Sequence, residues 1–132
     1  RRGEIWSGDV LSDELPAGDW DLGLLNQVLH YWRDEERDVL FARIARRLAP
    51  GGVLAIQTLV LQDGALARLA GTAASGALFD LFLRSHENLH GLPDPVDLQV
   101  RLRAAGFARV GSVSIVPGGA LRYVWAARGP AP

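Results

Sequence analysis

Two apolar runs frame the centre of the chain: Trp20 to Leu29 (WDLGLLNQVL) and Val53 to Leu61 (VLAIQTLVL). Neither alternates strictly with polar residues, which suits strands buried on both faces, as in a parallel sheet. Between them Val39, Leu40, Ile44 and Leu48 recur at helical spacing behind Asp34, a candidate N-cap, until Pro50 and Gly51 stop the helix. Arg37 rather than Glu or Gln stands three residues after Asp34, so no capping box is expected. The unit reads strand, helix, strand, for which parallel pairing through a right-handed crossover is the default.

The flanks extend this pattern. Glu4 to Val10 (EIWSGDV) reads as a short strand ending at a Gly-Asp turn. Ala65 to Leu92 is helical in pattern, with Gly71 and Gly76 as weak points and Pro93 to Pro95 as a break. Val96 to Ala105 predicts a second amphipathic helix capped by Gly106. Arg109 to Val116 and Leu121 to Ala127 predict an antiparallel hairpin around Pro117, Gly118 and Gly119. The expected fold is α/β: one mostly parallel sheet closed by an antiparallel hairpin, with Leu40, Ile44 and Leu48 covering a face. Residues 1–128 are expected to form one domain, with 129–132 (GPAP) as a tail.

Composition narrows the partners. All 14 basic residues are Arg and are spread among 15 acids, for a formal net charge of −1, so no block of positive charge awaits nucleic acid. No apolar run approaches the ~20 residues that a bilayer span needs. With no Cys there are no disulfides, thiolate metal sites or Cys nucleophiles. No signal-peptide pattern is present, and a cytoplasmic location is expected. The chain opens on Arg1 and contains no Met, which suggests a piece of a longer product. His86 and His90 stand four apart on one predicted helical face, yet no third ligand follows at a motif spacing, so no metal is expected.

Three places in the chain draw attention as candidate chemistry: His30, Asn26 and the Gly8-Asp9 pair. His30 follows the first apolar run, and ligands of open α/β sheets gather at the carboxyl ends of strands. An imidazole there can take a proton near neutral pH, or simply be satisfied by backbone in a turn. Asn26 lies in an apolar strand where an unpaired amide is costly, so a partner is expected, in a ligand or in backbone. Gly8 and Asp9 are common turn punctuation.

The order and spacing of GDVL, LPAGDWDLGLL, VLHYW with RDEE, LAPGG, and LRAAGF at Leu102 to Phe107 resemble the C-terminal portion of small-molecule O-methyltransferases. These are class I S-adenosylmethionine-dependent enzymes of plant phenolic and bacterial natural-product pathways. The resemblance runs from about Ile5 to Arg128 and implies S-adenosyl-L-methionine as cofactor and a small-molecule acceptor. It implies that Gly8, Asp9 and Val10 lie beside the adenine, that Asn26 directs a polar group at the cofactor, and that Trp32 walls the adenine or packs the turn. His30 matches the family's general base. Leu83, His86 and Glu87 match positions of its substrate-lining helix. Homodimers of the family form through an N-terminal region not found in this sequence.

Departures from the pattern matter too. The places where phenol-methylating relatives carry acids flanking the base hold Thr58 and Leu92. The family's glycine turn for the methionine moiety and its ribose-binding acid do not occur before Gly8, and in its sheet order those two absent strands separate Glu4 to Val10 from Trp20 to Leu29. The leading expectation is methyl transfer to a hydroxyl of an aromatic or polyketide-like molecule, as part of a longer enzyme. N- or C-methylation, a non-methylating relative on the same scaffold, and a noncatalytic dimerisation or scaffolding fragment are the alternatives.

Overall fold

The computed structural model describes residues 5–60, 72–115 and 121–130. Its elements are β1 (Trp20–Asn26), a 3-10 turn (Leu29–Tyr31), α1 (Asp34–Arg47), β2 (Leu48–Leu59), α2 (Thr72–Arg84), α3 (Pro95–Ala104), β3 (Phe107–Ser114) and β4 (Leu121–Arg128). The strands form one sheet in the order β1-β2-β4-β3. β1 runs parallel to β2, in register from Leu22 opposite Val53 to Asn26 opposite Gln57. β4 lies antiparallel to β2 and β3. The strand, helix, strand unit and the closing hairpin expected from the sequence thus share one sheet. The expected turn residues Pro117 to Gly119, and the first part of the Ala65 to Leu92 helix, lie outside the described residues.

One face of this sheet holds the core. Leu54, Ile56, Val124 and Ala126 are fully buried against Leu40, Phe41 and Ile44 of α1 and Leu98 and Leu102 of α3. Val39, part of the helical spacing read from the sequence, is half exposed, while Phe41 is fully buried. Helical pitch explains the exchange: positions 37, 40, 41, 44, 45 and 48 make one stripe, and 39 falls beside it. Leu48 belongs to the core as expected, but from the start of β2 rather than the end of α1.

Expected burial on both faces of the central strands is corrected. In β2, Leu54, Ile56 and Thr58 are buried, while Val53, Ala55, Gln57 and Leu59 on the other face are only partly covered. In β1, Leu22 and Leu24 are 55% and 60% exposed. Among the described residues, α1 and α3 pack on one side only and β1 is an edge, so its outer face has nothing to lie against. β1 also ends at Asn26, short of Leu29.

The strand expected from Glu4 to Val10 is likewise corrected: its described residues, 5–10, take no strand conformation, and Ile5 is fully exposed. A lone extended segment has no ladder partner for its backbone groups. The chain bonds to itself instead, the Asp9 carboxylate accepting from the Leu11 amide at 2.8 Å and the Ser12 hydroxyl at 2.9 Å.

The starts of α1 and α3 are capped. α1 begins at Asp34 itself, with Arg33 as N-cap, and the Glu36 carboxylate accepts from the Arg33 amide at 2.7 Å. The cap therefore sits one residue before the expected Asp34, and Glu36 supplies the reach-back half of a capping box that was not expected. At α3 the Asp94 carboxylate accepts from the amides of Val96 and Asp97, both at 2.8 Å, with Pro95 in the first turn. Asp94→Ala is expected to lower stability by about 1 kcal/mol, read as a shift in the urea midpoint at unchanged slope.

Candidate active site

β1 ends where the site begins. Gln27, directly after the strand, takes a left-handed conformation with φ 54°, rare for a residue other than glycine. Its amide still donates to the Gln57 carbonyl at 2.8 Å, so the turn grows straight from the parallel ladder. The chain then folds into the 3-10 turn, anchored by the fully buried Leu29. Tyr31 and Trp32 donate back to Val28 and Leu29 at 3.1 and 3.2 Å. Strain of this kind persists where the surroundings hold it, and here it lies between the end of β1 and the turn that carries His30.

His30 is partly buried, with the Tyr31 ring 4.5 Å from its own. Its carbonyl accepts from the His90 amide at 2.7 Å. Burial, and after it the positive charge of Arg37, push the imidazole pKa below its ordinary value. Both effects favour the neutral ring, the form able to accept a proton.

Sequence reasoning missed Arg37. This residue is 4% exposed within α1's inward stripe. Its Nε donates to the Leu29 carbonyl at 2.9 Å, Nη1 to Asp34 at 2.8 Å and Nη2 to the Gly91 carbonyl at 3.2 Å. The stripe itself was the available signal: position 37 is a turn before Leu40 and Phe41, where an unpaired charge is not tolerated. Gly91 has φ 82°, and a Cβ there would lie 2.6 Å from the Asp80 carboxylate and 2.7 Å from the Arg84 guanidinium. Asp80 in turn accepts from the Leu92 amide at 2.6 Å and from Arg84 at 2.8 Å.

The positions matching the family's flanking acids hold apolar or self-satisfied groups. Thr58 is buried and its hydroxyl donates to the Leu59 carbonyl at 2.9 Å; Leu92 is buried. The other expected site residues fall into three groups. Asn26 and Trp32 accompany His30 at the carboxyl end of β1, Asn26 exposed and Trp32 partly packed on the core. Gly8, Asp9 and Val10 form the turn alongside β1, where Val10 and Trp6 line an apolar recess of about 260 Å³ with Trp20, Gly23, Leu24, Leu25 and Ile44. The Asp9 carboxyl is exposed and held below its ordinary pKa by the Leu11 amide and then the Ser12 hydroxyl. Leu83, His86 and Glu87 lie at the end of α2 and just beyond it. Leu83 is buried, whereas His86 and Glu87 are exposed and His86 Nδ1 is 2.8 Å from the Phe82 carbonyl. No group of three or more metal-ligating side chains occurs among the described residues, and no described helix is long and apolar enough to cross a membrane.

A parallel β-α-β unit closed by an antiparallel hairpin, with His30 just beyond the carboxyl end of β1, is a Rossmann-like α/β arrangement. The chain belongs to the O-methyltransferase domain family, whose pattern matches residues 2–87. Over 108 residues it is 30% identical to the tetracenomycin polyketide synthesis 8-O-methyl transferase TcmO of Streptomyces glaucescens, covering 82% of this chain and 30% of that one. An O-methyltransferase family protein from Burkholderia thailandensis superposes with TM-score 0.75 at 26% identity, covering 98% of this chain and 36% of the other. Human N-acetylserotonin methyltransferase in complex with SAM superposes with TM-score 0.67 at 23% identity, over 94% of this chain and 33% of that one. The chain thus spans about a third of the length of the relatives it matches. That human structure holds SAM, and the similar structure of PigF holds SAH.

Proposed function

We propose that residues 1–128 are the C-terminal portion of an S-adenosylmethionine-dependent O-methyltransferase catalytic domain acting on a hydroxyl of a small aromatic or polyketide-like molecule. The observation that carries this reading is His30: a partly buried imidazole, its pKa pushed down by burial and then by Arg37, in a turn bonded on both sides at the carboxyl end of a parallel strand.

The residues suit an adenosyl group. The Asp9 carboxylate is exposed and ionised, with oxygens able to accept a further bond beside those of its own turn, and would receive the adenine's exocyclic amine. Val10 would cover the ring. Asn26, exposed beyond the last apolar position of β1, would offer its amide to the polar part of the cofactor. S-adenosylmethionine supplies, when bound, a methyl group already activated by its sulfonium. His30 would take the proton from the acceptor hydroxyl as that oxygen attacks in line. Leu83, His86 and Glu87 would contribute to the acceptor side. Dimerisation through an N-terminal region and a cytoplasmic setting complete the proposal.

Thr58 and Leu92 favour a second reading, N- or C-methylation, because no carboxylate at those positions orients the imidazole; alignment and desolvation would then supply the rate. Incubation of the complete enzyme with candidate acceptors, followed by mass spectrometry and NMR of the products, separates the two: a methyl ether supports the first reading and a methylated nitrogen or carbon replaces it.

A separate prediction concerns the 132 residues alone. They hold the adenine-side residues without the glycine turn and ribose acid, so very weak cofactor binding and no methylation are expected. The unpaired edge of β1, with Leu22 and Leu24 exposed beside it, should also promote association, in place of the edge first expected at Glu4 to Val10. Calorimetry showing micromolar cofactor binding by a monomer would overturn the placement of the cofactor site.

A further inference from the structure

We propose that Arg37 is a positioning residue for His30, fixing the backbone that carries the imidazole to the segment running from His90 to Leu92. This inference rests on His30 acting as the base.

The geometry is a two-point clasp. On one side of His30, the carbonyl of Leu29 accepts from Arg37 Nε at 2.9 Å. On the other, the carbonyl of His30 itself accepts from the His90 amide at 2.7 Å. The two points are joined, because Arg37 Nη2 also holds the carbonyl of Gly91, the residue after His90, at 3.2 Å. Gly91 and Leu92 are tied in turn to α2 through Asp80, which accepts from the Leu92 amide at 2.6 Å. One planar guanidinium therefore connects the base-bearing turn to the segment that follows α2, whose end carries the proposed acceptor-side residues.

Packing alone does not require an arginine here. Position 37 lies on the inward stripe of α1, where a buried ion pair is often no more stabilising than a hydrophobic residue of similar volume. What an apolar side chain cannot do is hold two carbonyl groups from separate segments at fixed positions. The fork of donors does so, with its charge balanced by Asp34 at 2.8 Å, whose side chain remains half exposed. A general base displaced by about 1 Å can lose roughly 10²-fold in rate, so the clasp has a catalytic consequence.

A double-mutant cycle in the complete enzyme is the test. Arg37→Met is expected to lower kcat on the order of 10²-fold with acceptor KM and cofactor affinity unchanged, and to cause no further loss when His30 is already alanine. Arg37→Lys keeps the charge without the fork and should give an intermediate loss; it runs the same cycle if Arg37→Met does not fold. Losses that multiply in the double variant, or an unchanged kcat in folded Arg37→Met, would overturn the positioning role. His30→Ala alone with unchanged turnover would instead remove the base reading on which the role depends.

Discussion

Replacing His30 by alanine is expected to lower turnover of the complete enzyme on the order of 10²- to 10⁴-fold while leaving cofactor binding nearly unchanged. The asymmetry follows from the proposed role, since the imidazole acts on the acceptor's proton and the cofactor contacts come from Asp9, Val10 and Asn26. The pH profile carries the same signature. Burial and Arg37 depress the His30 pKa, so the ring stays neutral to lower pH than a free imidazole. The acid limb of kcat should fall below pH ~6.5, with activity lost as pH drops through that depressed value and retained above it. Steady-state kinetics at saturating acceptor, paired with calorimetry for the cofactor, measures both. Unchanged turnover would point to methyl transfer driven by alignment without a base.

The largest expected effect on stability lies at Phe41. Its ring is fully buried where α1 meets the sheet and α3, among Leu40, Ile44, Leu54 and Leu98. Phe41→Ala removes that contact and leaves a cavity that rigid strands cannot fill, for a cost of about 3–5 kcal/mol. Against a typical total of about 5–15 kcal/mol, such a loss approaches unfolding. Val39→Ala, two residues away and half exposed, should stay within about 0.5 kcal/mol. Urea denaturation of the two variants side by side is the measurement, and comparable losses would mean that α1 packs on a different stripe.

The sequence carried the local part of this fold because local rules are written into residue order. The apolar runs at Trp20 and Val53 form β1 and β2 and the stripe between them forms α1, with boundaries shifted by several residues; α3 begins at Pro95, one residue before the expected Val96, and the two closing strands lie within two residues of their expected ends. His30 was legible as a candidate for the same reason, a strand end followed by a polar turn. Other features depended on neighbours distant in the chain. Whether Glu4 to Val10 pairs as a strand is decided by the presence of a ladder partner, and the outer face of β1 by what lies against it. The role of Arg37 was illegible because its acceptors, Leu29 and Gly91, are far apart in sequence. Residue order determined the strand, helix, strand unit and the closing hairpin; only the tertiary structure decided which backbone groups meet a guanidinium, because a hydrogen bond between distant segments depends on their approach and not on any period.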